Sequence, residues 1–171
     1  MKTSQGFSQA ELLAVLVILA ILLSLALPSL QNQVHESKRV AALNQMIGAT
    51  NHARSSAVFS RKTMSICAGD SGCDGNKLWR GRFLIFVDKN HNGRLDADER
   101  IERLDTMPDG FTWYWSSFRK LTYISFENNG TTRASNGTMT LCHEGKPLNQ
   151  IVISLSGRVR HKTADADATC S

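Results

Sequence analysis

The sequence predicts an α+β protein: one long amino-terminal helix packed on an antiparallel β-sheet head. Three observations carry that expectation. An apolar run near the start continues into a helix-period pattern that ends near Arg61 and Lys62. From Thr63 onward the pattern changes to short strands separated by polar turns. No strand–helix–strand alternation appears, so nothing calls for a parallel sheet. The boundaries that follow are 1–6, 7–28, 29–62 and 63–171.

The first element is the apolar segment. Leu12 to Leu27 read LLAVLVILAILLSLAL, with Ser24 the one polar side chain. That run is slightly short of the roughly 20 residues a spanning helix needs, but counting back to Phe7 gives about 31 Å of helix, which suffices. Lys2 precedes it, so the short amino end should stay cytoplasmic while the rest crosses. The extension takes in Glu11. A carboxylate in hydrocarbon costs several kcal/mol unless paired, and is by default a functional residue. A secretory signal peptide would carry no such Glu and would end in a small-residue cleavage site.

The stretch MKTSQGFSQAELLAVLVILAILLSLALPSL resembles a type IV pilin-like prepilin leader. A short basic leader ends in Gly6, Phe7 follows, Glu11 lies four residues later, and an apolar helix interrupted by proline comes next. Ser8, Gln9 and Ala10 depart from the usual Thr-Leu-Ile, while the Gly6–Phe7–Glu11 spacing is intact. The resemblance implies cleavage after Gly6 by a prepilin peptidase and N-methylation of Phe7. It also implies that Glu11 pairs with the Phe7 amine of a neighbouring subunit, which would neutralise both groups and set axial register.

Residues 29–62 continue the helix. Pro28 removes an intrahelical hydrogen bond and should kink or loosen it. Beyond it Leu30, Val34, Ala41, Met46, Ile47, Ala53 and Ala57 recur at roughly helical spacing among polar residues. In the head, strands are expected at Met64–Ala68, Arg82–Val87, Phe111–Trp115, Leu121–Phe126, Met139–His143, Gln150–Ser154 and Arg158–Arg160. The turns SGCDG, KNHNG, PDG, NNG and SNG separate them. Trp79, Phe111, Trp113 and Trp115 read as strand and core residues, with base stacking the lesser reading.

The segments SICAGDSGC, WRGRFLIFVDKNHNGRLDADE and ISLSGRVR further resemble the FimT/GspH minor-pilin family. In its FimT branch a GRxR element near the carboxyl end is associated with DNA binding in natural transformation; here it is Gly157-Arg158-Val159-Arg160. The resemblance implies a low-abundance pilin at the pilus tip. It would be inserted in the bacterial inner membrane with its head in the periplasm, and partnered by other major and minor pilins. The alternatives within it are a structural minor pilin that initiates assembly and a GspH-like pseudopilin of type II secretion. An adhesion module is the rival of another class.

Charge agrees with a polyanion partner. The chain has 20 Lys+Arg against 15 Asp+Glu, a net +5. That excess resides in residues 119–162, where Arg119, Lys120, Arg133, Lys146, Arg158, Arg160 and Lys162 face only Glu127 and Glu144. In a strand, Arg158, Arg160 and Lys162 share one face at intervals of about 6.6 Å. Phosphates recur at about 3.4 Å of helix axis along each strand of a duplex, so flexible cations in such a row can meet alternate phosphates of double-stranded DNA, whatever its sequence. Arg133, Lys146 and the pair Arg119–Lys120 are candidates to extend the patch. The competing reading is an edge strand protected by charge.

Two further patterns stand out. Asp88, Asn90, Asn92, Gly93, Asp96 and Glu99 occupy positions 1, 3, 5, 6, 9 and 12 of a calcium-binding loop. Strand-like flanks and nearby Arg94 and Arg100 favour instead an Asx-rich hairpin loop, with calcium the lesser reading. Cys67, Cys73, Cys142 and Cys170 all follow the apolar segment, so an oxidising compartment would make two disulfides of them. Cys67–Cys73 would close a small loop and Cys142–Cys170 would staple the tail, with other pairings open. Their spacings are not those of zinc fingers. The 5 histidines show no metal spacing and no Ser/His/Asp arrangement has a local signature, so no enzyme is expected.

Overall fold

The computed structural model describes residues 9–171, apart from the side chains at 23 and 25–29. Helix α1 runs from Gln9 to Ser60 and stays helical across Pro28, where a kink or looser turn was expected. Contacts divide the chain into two compact units with the boundary between Arg39 and Val40, inside this helix. In the first unit the apolar side chains from Leu12 to Leu22 are exposed, and Arg39 donates to Glu36 at 2.8 Å one turn earlier. Among the described residues no helix is long and apolar enough to cross a membrane. The expected span 7–28 starts at residues outside that set and includes side chains outside it.

The second unit, Val40–Ser171, is the head. Here α1 buries Ala42, Met46, Ala49, Thr50, Ala53 and Ala57. The spacing is one helical stripe, and its small side chains let the helix approach the sheets closely. Ala41, expected on that stripe, is exposed, because the face through Met46 passes through Ala42 instead. Buried Thr50 returns its hydroxyl to the Met46 carbonyl at 2.7 Å.

Among the described residues nine strands follow: β1 Met64–Ala68, β2 Leu78–Trp79, β3 Arg82–Val87, β4 Ile101–Thr106, β5 Phe111–Ser117, β6 Tyr123–Phe126, β7 Gly137–His143, β8 Lys146–Ile153 and β9 Val159–Thr163. They form two antiparallel sheets, ordered β4-β3-β1-β6 and β2-β5-β7-β8-β9. The first sheet is apolar on both faces. Ile66, Ile85 and Ile124 join the main core, while Cys67, Leu84 and Phe86 form a second cluster with Leu95 and Tyr123. That is why β3 reads as an apolar run from Phe83 to Val87, and β1 as one broken only by buried Ser65.

The second sheet alternates. Phe111, Trp113 and Trp115 of β5, Met139 and Leu141 of β7, and Ile151 and Ile153 of β8 face the core. Its other face carries Tyr114, Ser116, Thr138, Thr140 and Val152. The sheets meet where Trp115 donates its indole N–H to the Tyr123 carbonyl at 3.1 Å. There Ser135 Oγ also bonds both the N–H and the carbonyl of Ser125, each at 2.8 Å, which satisfies the free edge of β6.

Candidate nucleic-acid interface

β9 is an edge strand whose one neighbour is β8. Val159 lies opposite Ile153, Arg160 opposite Val152, His161 opposite Ile151 and Lys162 opposite Gln150. Because Ile151 and Ile153 face the core, Arg160 and Lys162 take the opposite, outer face. The hairpin extends this register by one more pair. Ser154 N–H donates to the Arg158 carbonyl at 3.0 Å, and Arg158 N–H donates to Ser154 Oγ at 3.1 Å. Arg158 therefore joins the row. Arg158 and Arg160 are exposed, and among the described residues neither has an acidic partner. Lys162 is exposed as well but pairs with Asp165.

The turn before this row is held from beneath. Buried Gly157 has φ 74°, and a Cβ there would sit 2.0 Å from the Gly130 carbonyl oxygen. Arg54 of α1 donates its Nε–H to that same oxygen at 3.0 Å and an Nη2–H to the Ser156 carbonyl at 3.2 Å. Thr132 adds its N–H to the Leu155 carbonyl at 2.9 Å and its hydroxyl to the Ser154 carbonyl at 3.0 Å. The helix, the 127–132 turn and the 154–158 turn are thus joined at one point. Arg54, Gly130 and Thr132 escaped the sequence reading. The one local signal was a cation set beside the Ala53–Ala57 stripe.

The remaining cations fall elsewhere. Arg133 pairs with Glu127 at 3.1 Å, so its charge is partly neutralised. Lys146 opens β8, and β8 runs on to Ile153 before reaching the 154–158 turn. It stands about 20 Å from that end at strand rise. Neither Arg133 nor Lys146 is in the Arg158–Arg160 row. Arg119 and Lys120 lie in the β5–β6 turn, exposed and with no acidic partner among the described residues. Of the amino-terminal residues, Gly6 and Phe7 lie outside the described set, while Glu11 is exposed in the first turn of α1.

The 88–99 loop is held by its own donors. Buried Asp88 accepts from Ser65 Oγ at 2.6 Å, from Asn92 N–H at 3.0 Å and from Gly93 N–H at 2.9 Å. Asn90 and Asn92 both donate amide N–H groups to Asp96 at 2.8 Å. Glu99 accepts from Lys89 N–H at 2.7 Å and from Asp96 N–H at 3.1 Å. Gly93 is required because its φ is 69° and the Tyr123 ring lies 2.2 Å from where a Cβ would be. Burial, and then the charge of Asp88, push the Tyr123 phenol above its ordinary value. Hydrogen bonding and attraction from Lys89 hold Asp98 below the usual carboxylate range. Among the described residues no group of three or more His, Cys, Asp or Glu side chains is placed to hold a metal. The arrangement is that of the Asx-rich hairpin loop.

Cys67 is bonded to Cys73, with Cα atoms 5.5 Å apart. Cys142 is bonded to Cys170 across 28 residues. The first bond ties the loop after β1 to the second cluster. The second anchors the tail beyond β9 to β7.

The sequence profile of the family described as Type II transport protein GspH matches residues 42–157, more than half of the chain. Two crystal structures of the type IV minor pilin FimU of Pseudomonas aeruginosa share the fold, each with a TM-score of 0.59 and covering 77% of this chain. They are 23% and 24% identical to it, over 98% and 93% of their own length. No curated protein matches the sequence.

Proposed function

The chain belongs to the GspH family and has the fold of a type IV minor pilin, and from that premise we propose that it is a minor pilin whose head binds double-stranded DNA through Arg158 and Arg160. In this reading the binding serves DNA uptake in natural transformation. The family and fold are those of structural pilin proteins, which associate with other pilins. The observation that carries the DNA reading is the outer face of β9. Two exposed arginines, neither with an acidic partner among the described residues, alternate along the outer face of β9 and the buttressed turn that leads into it, about 6.6 Å apart at strand rise. Salt bridges occupy Arg133 and Lys162, so the uptake contact centres on the GRxR pair. Phosphate contact without base readout suits DNA of any sequence.

The same reading has prepilin peptidase cleave after Gly6 and Phe7 become N-methylated. Glu11 would then meet the Phe7 amine of the next subunit in the filament. The head would face the periplasm before assembly and the pilus tip afterwards. The family description favours a second reading, a GspH-like pseudopilin of type II secretion. Deletion separates the two: lost transformation supports DNA uptake, whereas defective protein secretion with normal transformation supports the pseudopilin.

The direct test uses the full-length protein in detergent micelles, titrated with duplexes of unrelated sequence. Binding should be similar for all of them, and the Arg158→Gln/Arg160→Gln variant should lose most of it while keeping its fold. Undiminished binding by that variant refutes the assignment.

A further inference from the structure

We propose that the β5–β6 turn, Phe118–Arg119–Lys120, is a second nucleic-acid contact, one that takes an unpaired base and gives the head a preference for single-stranded DNA tails. The inference rests on the reading above that the head binds DNA. Phe118 is 86% exposed and sits beside two cations that lack acidic partners among the described residues. The turn presenting it is fixed. Ser117 Oγ accepts from Leu121 N–H at 2.7 Å and donates to the Leu121 carbonyl at 3.3 Å, while Lys120 N–H bonds the Ser117 carbonyl at 3.0 Å. With its backbone already held, Phe118 has only its side-chain rotation left to lose when a base stacks on the ring.

Sheet register brings this turn and the GRxR pair to the same end of the same sheet. Ser117 lies opposite Gly137, Gly137 opposite Ile153, and Ile153 opposite Val159. Phe118 and Arg158 are each one residue beyond that row, on strands three spacings apart, or about 14 Å. The next row inward runs Ser116, Thr138, Val152, Arg160. Its two hydroxyls can donate to phosphate oxygens between the cationic ends. At about 3.4 Å of helix axis per phosphate, at most about four phosphates of one strand cover that distance. A strand held by Arg158 and Arg160 therefore reaches Phe118 within a few nucleotides. There an aromatic face flanked by cations suits a base that has left its stack.

Fluorescence anisotropy of the full chain in micelles tests this with a blunt duplex and the same duplex bearing a single-stranded tail. Wild type should bind the tailed duplex more tightly. Phe118→Ala should weaken tailed binding by about fivefold or more and leave blunt binding unchanged, while Phe118→Trp should retain the preference. Equal loss on both duplexes, or no loss on either, overturns the stacking contact and leaves the GRxR assignment standing. Failure of wild type to bind either duplex overturns both.

Discussion

Gly157 and Gly145 share a left-handed backbone, with φ 74° and 75°, and differ in what surrounds them. Nothing lies within 4 Å of a Cβ at Gly145, whereas one at Gly157 meets the Gly130 carbonyl at 2.0 Å. Gly145→Ala therefore measures the backbone cost alone, about 1–2 kcal/mol. Gly157→Ala adds a backbone collision under the Arg54 latch, about 1–3 kcal/mol more. Thermal unfolding followed by tryptophan fluorescence reads the difference, because Trp79, Trp113 and Trp115 are all buried in the head. Equal shifts for the two variants would mean that the turn does not bear on the Gly130 carbonyl. The sequence exposed the need for Gly157 only as a turn residue; its close approach to Gly130 depends on two loops that only the fold brings together. Phe118 was not legible either: it lies beyond the strand Phe111–Trp115 read from the sequence, and its exposure appears only in the fold.

Among the elements, β9 is held in two ways that can be separated. A ladder to β8 runs from Val159 to Thr163, and the Cys142–Cys170 bond anchors the tail beyond it. Replacing both cysteines by serine removes a closure across 28 residues and should cost about 3–4 kcal/mol in the chain-entropy model. DNA binding should persist wherever the head remains folded, because the ladder to β8 and the turn held by Arg54, not the tail, set the Arg158–Arg160 row. Binding lost from a folded head would transfer that role to the tail. Most strands were legible because their apolar alternation and turn residues agree. β2 has only two residues and was not read, while β4, largely exposed, showed only as the strand-like flank after Glu99. The 88–99 loop shows the opposite problem. Oxygen-bearing side chains at alternate positions serve a cation or the loop's own N–H groups equally well, and nothing local in the sequence shows that Ser65 of β1 joins the Asn92 and Gly93 N–H groups on Asp88.

For the molecule as a whole, the question is whether DNA would answer to net charge or to a few placed cations. A net +5 predicts attraction to any polyanion, with every surface lysine and arginine contributing a little. The fold predicts something narrower. Of the seven cations between residues 119 and 162, Arg133 and Lys162 already have carboxylate partners, and Lys146 lies at the far end of β8. Salt dependence separates the two accounts, because each neutralised phosphate adds about 0.9 to the slope of log affinity against log salt. Arg158→Gln and Arg160→Gln should each flatten that slope by about 1. Arg133→Gln and Lys146→Gln change the net charge by the same amount and should leave the slope nearly where it was. A uniform change across all four would return the interaction to the diffuse field of a basic protein and remove the GRxR row as its centre.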